Sequence, residues 1–307
     1  MDHIIDIHAH LGDICFPGGG ELIGKTGVKS RNWIDIISIS EWFFHRFAPD
    51  DSYFGSWLHQ KEIQSSLKRN FTGSLQNFLR SMKQASISHS VSLPVPPNVI
   101  FSDIQSVAEK HPSIIPFTGV DFSREYDVEA ELRNDVKAGA KGMKLHPILQ
   151  CEKLTSQKTY EAVEAFALHD LPVLLHTGVC YYYTTSVDKQ NREKPLFGDI
   201  KDVLKLIADF SDINFIMGHA GLLQWDELKQ SVRSFKNIWV DGTFKSPTGI
   251  RELVRVLGAD KVLFGSDWPW GNRKPALKIL KRACKNDYHM ERKILFENAA
   301  ELMGLSF

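Results

Sequence analysis

Short apolar runs alternate along this chain with segments whose apolar residues recur at helical spacing. The runs are Ile4–Ile7, His89–Leu93, Ile114–Val120, Gly142–Leu145, Pro172–Leu175, Asn214–Met217, Ile238–Val240 and Val262–Phe264. Their brevity and continuous apolar character suit strands covered on both faces of a parallel sheet. Between them the spacing predicts helices over 74–85, 102–111, 127–138, 157–169, 199–210, 225–235, 247–257 and 273–286. In the first helix Leu75, Phe78, Leu79 and Met82 share a face, and Ser74 stands at the N-cap. Eight such strand–helix units favour a closed α/β barrel of the (β/α)8 kind over an open sheet. A terminal helix over 290–305 would close it, with Ile294, Leu295, Ala299 and Leu302 on an apolar face and Asn298 as a polar anchor. Residues 1–307 therefore read as one domain.

One connection departs from this rhythm. An insertion over about 13–73 separates the first strand from the second and carries Trp33, Trp42, Phe43, Phe44, Phe47, Tyr53, Phe54 and Trp57. It leaves the C-terminal end of the first strand, where a barrel keeps its chemistry. A long loop there is a substrate-covering lid or, since exposed aromatics also serve subunit contacts, part of a homodimer interface. Both readings stand.

Composition removes several classes of function. Lysine plus arginine equals aspartate plus glutamate at 37 each, which argues against a broad nucleic-acid or membrane surface and for a small-molecule substrate. No apolar run approaches the roughly 20 residues that span a bilayer. The N-terminus lacks the basic and apolar regions of a signal peptide. Cys15, Cys151, Cys180 and Cys284 form no CxxC pair, so neither a zinc knuckle nor a disulfide framework is indicated. The expected location is the cytoplasm.

The strand ends carry the chemistry. Asp6-Ile-His8-Ala-His10 places two imidazoles on one strand face. Three more apolar runs end in a single polar group: Pro172 to His176, Phe215 to His219, and Val262 to Asp267. All belong to the C-terminal rim of a barrel, and buried polar groups at such positions need partners. Imidazoles with a carboxylate suit zinc, or else manganese or iron, with one position open for water.

These pieces resemble the amidohydrolase superfamily, and within it the branch of aminocarboxymuconate-semialdehyde decarboxylase-like proteins and related lactone hydrolases. The resemblance rests on Asp6-x-His8-x-His10, Gly142-x-Lys144-Leu-His146-Pro147, Pro172-x-x-x-His176-Thr-Gly178, Gly218-His219-Ala-Gly221 and Gly265-Ser-Asp267-Trp-Pro269, with Asn298-Ala299 near the end. It implies that His8, His10, His176 and Asp267 hold the metal. It also implies that Asp267 accepts a proton from water and that His219 acts on water or substrate. His219 as a fifth ligand is the alternative. Lys144 and His146 share a strand face. The favoured arrangement is one metal, with His146 lining the substrate pocket and Lys144 buried beneath; a carboxylated Lys144 bridging two metals is the other.

Trp268 is expected on the pocket wall, together with Trp270, Phe244–Ser246 or Tyr181–Tyr183. Arg46, Arg69, Arg192 and Arg273 are candidate carboxylate clamps, and Cys180 is a weak nucleophile candidate. The first functional reading is a hydrolase using metal-activated water on a small ester, lactone or amide. The second is a metal-dependent, non-oxidative decarboxylase of a small aromatic or muconate-like acid. A non-catalytic scaffold would be expected to lose a ligand, and none is lost. A barrel nuclease would be expected to carry a middle-strand glutamate where Lys144 and His146 stand.

Overall fold

The computed structural model describes residues 3–29, 35–38 and 53–306. Trp33, Trp42, Phe43, Phe44, Arg46 and Phe47 lie outside the described residues.

Every apolar run predicted as a strand forms one. In chain order they are β1 (Ile5–Asp6), β2 (His89–Ser92), β3 (Ile114–Pro116), β4 (Thr118–Gly119), β5 (Met143–Leu145), β6 (Val173–His176), β7 (Phe215–Gly218), β8 (Ile238–Asp241) and β9 (Val262–Leu263). The run predicted over 114–120 is interrupted at Phe117, so it yields both β3 and β4. Regular ladders join β1-β2-β3 and β4-β5-β6-β7-β8-β9, all parallel. Backbone hydrogen bonds outside these ladders continue the sheet at both breaks. Phe117 N, between β3 and β4, donates to Ser92 O of β2 (3.1 Å), while Ile7 N donates to Phe264 O (2.9 Å), Asp267 N to His8 O (2.7 Å) and His10 N to Trp268 O (2.7 Å) between the segments of the first and last strands. This is the TIM-barrel architecture, with helices after the strands as the periodicity predicted.

Register decides which side chains meet inside. Lys144 pairs with Leu174, Leu174 with Ile216, and Ile216 with Trp239. Leu174, Ile216 and Trp239 pack with Ile5, Ile7, Val91, Leu93, Phe117 and Leu263, and with Ala299 and Leu302 of the last helix. Lys144 is thus the cation in an otherwise apolar row. The other strand face, with Val173, Leu175, Phe215, Met217 and Val240, packs in the larger cluster that holds Phe78, Val163, Phe166, Leu206 and Leu253 of the surrounding helices.

Two elements differ from expectation. Tyr53–Asn70 in the insertion is helical, although its sequence shows no apolar stripe. The reason lies in its contacts: Glu62, Ser65, Arg69 and Asn70 are buried, so part of the covered surface is polar. Arg69 donates to Asp35 Oδ2 from Nε at 2.8 Å and also to the Trp270 carbonyl, and Trp270 Nε1 donates to Ser66 O at 2.9 Å. The helix is bound to the loop after β9 by polar contacts that periodicity cannot register. The predicted terminal helix is also divided, into Tyr288–Arg292, a wide π turn at Lys293–Glu297, and Asn298–Leu302. Asn298 is the anchor expected, with Nδ2 donating to Ala259 O (2.7 Å) and Val262 O (2.8 Å). No helix among the described residues is long and apolar enough to cross a membrane.

A buried ion pair ties the rim together. Arg273 Nε donates to Asp6 Oδ2 at 2.9 Å, while its other nitrogens reach Phe78 O (3.0 Å), Ser90 Oγ (2.8 Å) and Ser81 Oγ. The guanidinium lies 4.2 Å from the Phe78 ring centroid and 5.2 Å from that of Trp268. Arg273 therefore clamps the protein's own carboxylate rather than that of a ligand. Removing one partner of a buried pair strands the other charge and typically costs about 3–5 kcal/mol. Arg273→Met should lower the denaturant midpoint accordingly, and adding Asp6→Asn should recover part of the loss. An unchanged midpoint in Arg273→Met would contradict this account.

Candidate active site

At the C-terminal rim, the chain segment that continues β1 brings His8 and His10 to Asp267. His10 Nε2 lies 3.4 Å and His8 Nε2 3.6 Å from Asp267 Oδ1. The two imidazole centroids are 5.4 Å apart. His8, His10 and Asp267 offer one ligand atom each within a single ion's reach, as do His8, His219 and Asp241.

The far nitrogen of each N-terminal histidine is held. His8 Nδ1 is 2.7 Å from Asp241 Oδ2, and His10 Nδ1 is 2.9 Å from the Leu93 carbonyl. Carboxylate and carbonyl oxygens only accept here, so both Nδ1 atoms carry a proton, which leaves Nε2 as the nitrogen each ring can offer to a cation beside Asp267. This is the outer support typical of imidazole ligands to metals. His8 Nε2 is buried and makes no hydrogen bond with the described residues. A lone pair kept dry and oriented beside a carboxylate fits a cation. These side chains could hold a divalent metal.

Asp241 was not among the site residues expected from the sequence. Its Oδ1 accepts from His219 N at 2.9 Å and Thr243 N at 3.0 Å. The signal was available: Ile238-Trp-Val-Asp241 is another apolar run that ends in one charged group.

The other predicted residues differ in how near they come to this centre. His219 lies 4.6 Å from His8 and 5.0 Å from His176, centroid to centroid, and stacks on Phe244 at 5.5 Å. Its Nδ1 is buried without a hydrogen bond among the described residues. Thr177 fixes the turn that carries His219, donating to Gly218 O at 2.5 Å and accepting from Gly221 N at 2.9 Å. A Cβ at Gly218 would stand 3.0 Å from His8 Cε1, and one at Gly265 would stand 3.0 Å from His8 Cβ. Both glycines therefore make room for His8.

His176 is close but outside the two three-residue groups. Its Nε2 is 3.2 Å from Gly178 O and 3.4 Å from Cys180 Sγ, and its ring stacks on His146 at 4.3 Å. Lys144 is buried, its Nζ without a hydrogen bond among the described residues, and Asp267 and Asp241 attract its charge most strongly. Trp268, expected on the pocket wall, instead packs edge-on against Phe78 at 5.2 Å, on the Arg273 side. Trp270 takes the place beside the site, 5.3 Å from His10 and 5.7 Å from Tyr182. Arg69 is bonded to Asp35, and Arg192 to Asp188.

The backbone is bent to reach this arrangement. Asp267 has φ 56° and His219 φ 63°, both in the left-handed region, which non-glycine residues enter at a cost and usually at functional sites.

Burial sets the charge state. It lowers the pKa values of His8, His146 and His219 well below the usual 6.5, and that of His176 to about 3, with the Lys144 cation the next largest cause for His8 and His176. Burial likewise pulls Lys144 down to about 7, against the attraction of Asp267 and Asp241. The rim therefore holds neutral, lone-pair-bearing imidazoles at neutral pH.

Comparison with known proteins supplies a family. The model of a family described as Amidohydrolase matches residues 5–305. No curated protein matches. Among solved structures, a 2,6-dihydroxybenzoate decarboxylase from Rhizobium is 12% identical with a TM-score of 0.63, covering 99% of each chain. A probable 2-pyrone-4,6-dicarboxylic acid hydrolase from Acinetobacter baumannii, with citric acid bound, is 16% identical with a TM-score of 0.59, covering 99% of this chain and 100% of that one. A 5-carboxyvanillate decarboxylase from Novosphingobium aromaticivorans, with bound manganese, is 15% identical with a TM-score of 0.62, covering 99% and 97%. At these identities the likeness concerns the fold.

The neutral imidazoles make stability depend on pH. Their folded pKa values lie below 6.5, so the unfolded chain takes up protons that the folded chain refuses. The stabilisation is complete above about pH 6.5 and falls as pH drops toward 3. Each such histidine adds a slope approaching about 1.4 kcal/mol per pH unit. Urea titrations of the metal-free protein should show a steep loss of stability from pH 7 to pH 5, with a shallower slope in His146→Gln. A flat profile over that interval would show that these histidines are not buried as neutral groups.

Proposed function

The chain belongs to the amidohydrolase family, and from that premise we propose that it is a metal-dependent hydrolase of small esters, lactones or amides. The meeting of His8, His10 and Asp267 at one dry rim, with both Nε2 atoms turned to the carboxylate, is the observation that carries this reading. A bound divalent ion supplies Lewis acidity, drawing the pKa of water toward about 7 and polarising a carbonyl.

The residues divide the remaining work. His8 and His10 hold the ion through Nε2, kept in the required tautomer by Asp241 and Leu93 O. Asp267 joins them as the anionic donor, and His176 is assigned as the next imidazole of the set. Three imidazoles and a carboxylate favour zinc, with manganese or iron next. Asp267 also accepts the proton of the attacking water. His219, neutral through burial, would donate a hydrogen bond to the carbonyl oxygen as charge develops there, and the proton taken up by Asp267 would pass to the leaving group. His146 lines the substrate side, and Lys144 lies beneath, its pKa drawn by burial to about 7, so that its protonated form favours anionic groups above it. The aromatic wall is assigned to Trp270 rather than Trp268. The substrate is a small molecule. None of Cys15, Cys151, Cys180 and Cys284 forms a disulfide, which suits a reducing cytoplasm.

A second reading is favoured by the fold neighbours named as decarboxylases: the same centre would orient a small aromatic or muconate-like acid, and His219 would relay a proton from solvent to the carbon that loses carbon dioxide. Assay of the metal-loaded protein against lactones and esters in parallel with hydroxybenzoates separates the two. Turnover of the acids alone would overturn hydrolysis.

Four variants test the assignment of residues. His8→Ala and Asp267→Asn should lose bound metal and activity together, measured by metal analysis of the purified protein. His219→Asn should keep the metal and lose at least about 10²-fold in rate; loss of metal from this variant would make His219 a ligand. Asp241→Asn should weaken the metal about 10- to 100-fold in chelator competition, because outer-shell partners tune their ligands to that extent. Unchanged affinity there would remove Asp241 from the site.

A further inference from the structure

The loop after β6 places Tyr182 at the histidines, and its hydrogen bonds define where its own proton can go. Leu149 N lies 3.3 Å from His146 Nδ1. A backbone N–H can only donate, so Nδ1 holds a lone pair and the His146 proton is on Nε2. His146 Nε2 is 2.9 Å from Tyr182 Oη, and that contact is therefore a donation from the imidazole to the phenol oxygen. The Tyr182 hydroxyl hydrogen is left over.

Its protein acceptors are poor. His176 Nδ1 is 3.4 Å away, at the long end for such a bond, and the Cys180 sulfur, which also contacts the hydroxyl, is a weak acceptor. The phenol is nevertheless fixed in place. Tyr182 N donates to Glu193 Oε2 at 2.6 Å, and Glu193 is itself buried. The ring stands edge-on to His146 at 5.3 Å and tilted against Trp270 at 5.7 Å.

We infer that Tyr182 is a substrate-binding residue that donates its hydroxyl to an acceptor oxygen of the ligand, a carboxylate or carbonyl held beside His176, and that His146 is the positioning residue that aims it. The ligand oxygen replaces the long contact to His176 Nδ1 and gains a donor already oriented. This specifies the substrate as an oxygen-bearing, preferably anionic small molecule. It rests on the centre proposed above as the place where that molecule binds.

The test has two arms on the full-length, metal-loaded protein, with benzoate as the probe. In the first, long-range ¹H–¹⁵N correlation spectra report the imidazole tautomers without any ligand. His146 should carry its proton on Nε2, and that resonance should shift in Tyr182→Phe. A His146 protonated on Nδ1 would overturn the inference. In the second arm, calorimetry compares benzoate binding to the wild type and Tyr182→Phe, with metal content measured on both. Loss of a hydrogen bond to a charged group corresponds to about 10- to 100-fold in affinity. A loss of that order at unchanged metal content supports the inference, and so does a smaller parallel loss in His146→Phe. Equal affinity, or no benzoate binding by the metal-loaded wild type, overturns it. Failure of the metal centre itself would appear separately, as absence of metal from the wild type.

Discussion

Asp6 offers nothing to a substrate, yet the rim depends on its carboxylate being buried. One oxygen takes the Arg273 guanidinium and the Ser266 hydroxyl at 2.6 Å, and the other takes Ser266 N at 2.9 Å and His8 N at 3.3 Å. Ser266 precedes Asp267, and His8 follows two residues after Asp6. A single desolvated charge thus sets the spacing between the first strand and the last turn. Arg273 carries the same constraint outward to Phe78, Ser81 and Ser90 on neighbouring elements. A buried pair of this kind adds little net stability over an apolar substitute, but it fixes which groups stand opposite one another.

Much of this was legible in the chain. Parallel strands covered on both faces leave continuous apolar runs, and every such run became a strand. The polar residue ending a run singled out His8, His176, His219 and Asp267 because a charged or imidazole group at that place is costly unless it is partnered. The same logic covered Asp241 and was not applied there. What stayed hidden has a common cause. The helix Tyr53–Asn70 docks partly through Arg69, Asn70 and buried polar groups, so hydrophobic periodicity is silent. The sides taken by Trp268 and Trp270 depend on turn geometry after Asp267, which alternation along a strand does not reach. Arg273 read as a surface clamp because its partner lies 267 positions away.

The chemistry of the centre follows from dryness more than from any one residue. Imidazoles in water spend part of their time protonated near neutrality. Packed against one another and above the Lys144 cation, those of His8, His146, His176 and His219 stay neutral and keep their lone pairs. Asp241 and the Leu93 carbonyl then decide which nitrogen is offered. Burial selects the charge state, hydrogen bonding selects the tautomer, and strand register selects the distance.

The left-handed backbone at Asp267 and His219 has an evolutionary consequence. Each position answers to two demands, a side chain that serves the centre and a main chain bent the disfavoured way. Asparagine and aspartate bear that bend more readily than most residues. Drift at these two sites should therefore pass through a narrow set of amino acids. A lineage that abandons the chemistry would be expected to retain glycine or asparagine there long after the donor is gone, as a fossil of the turn.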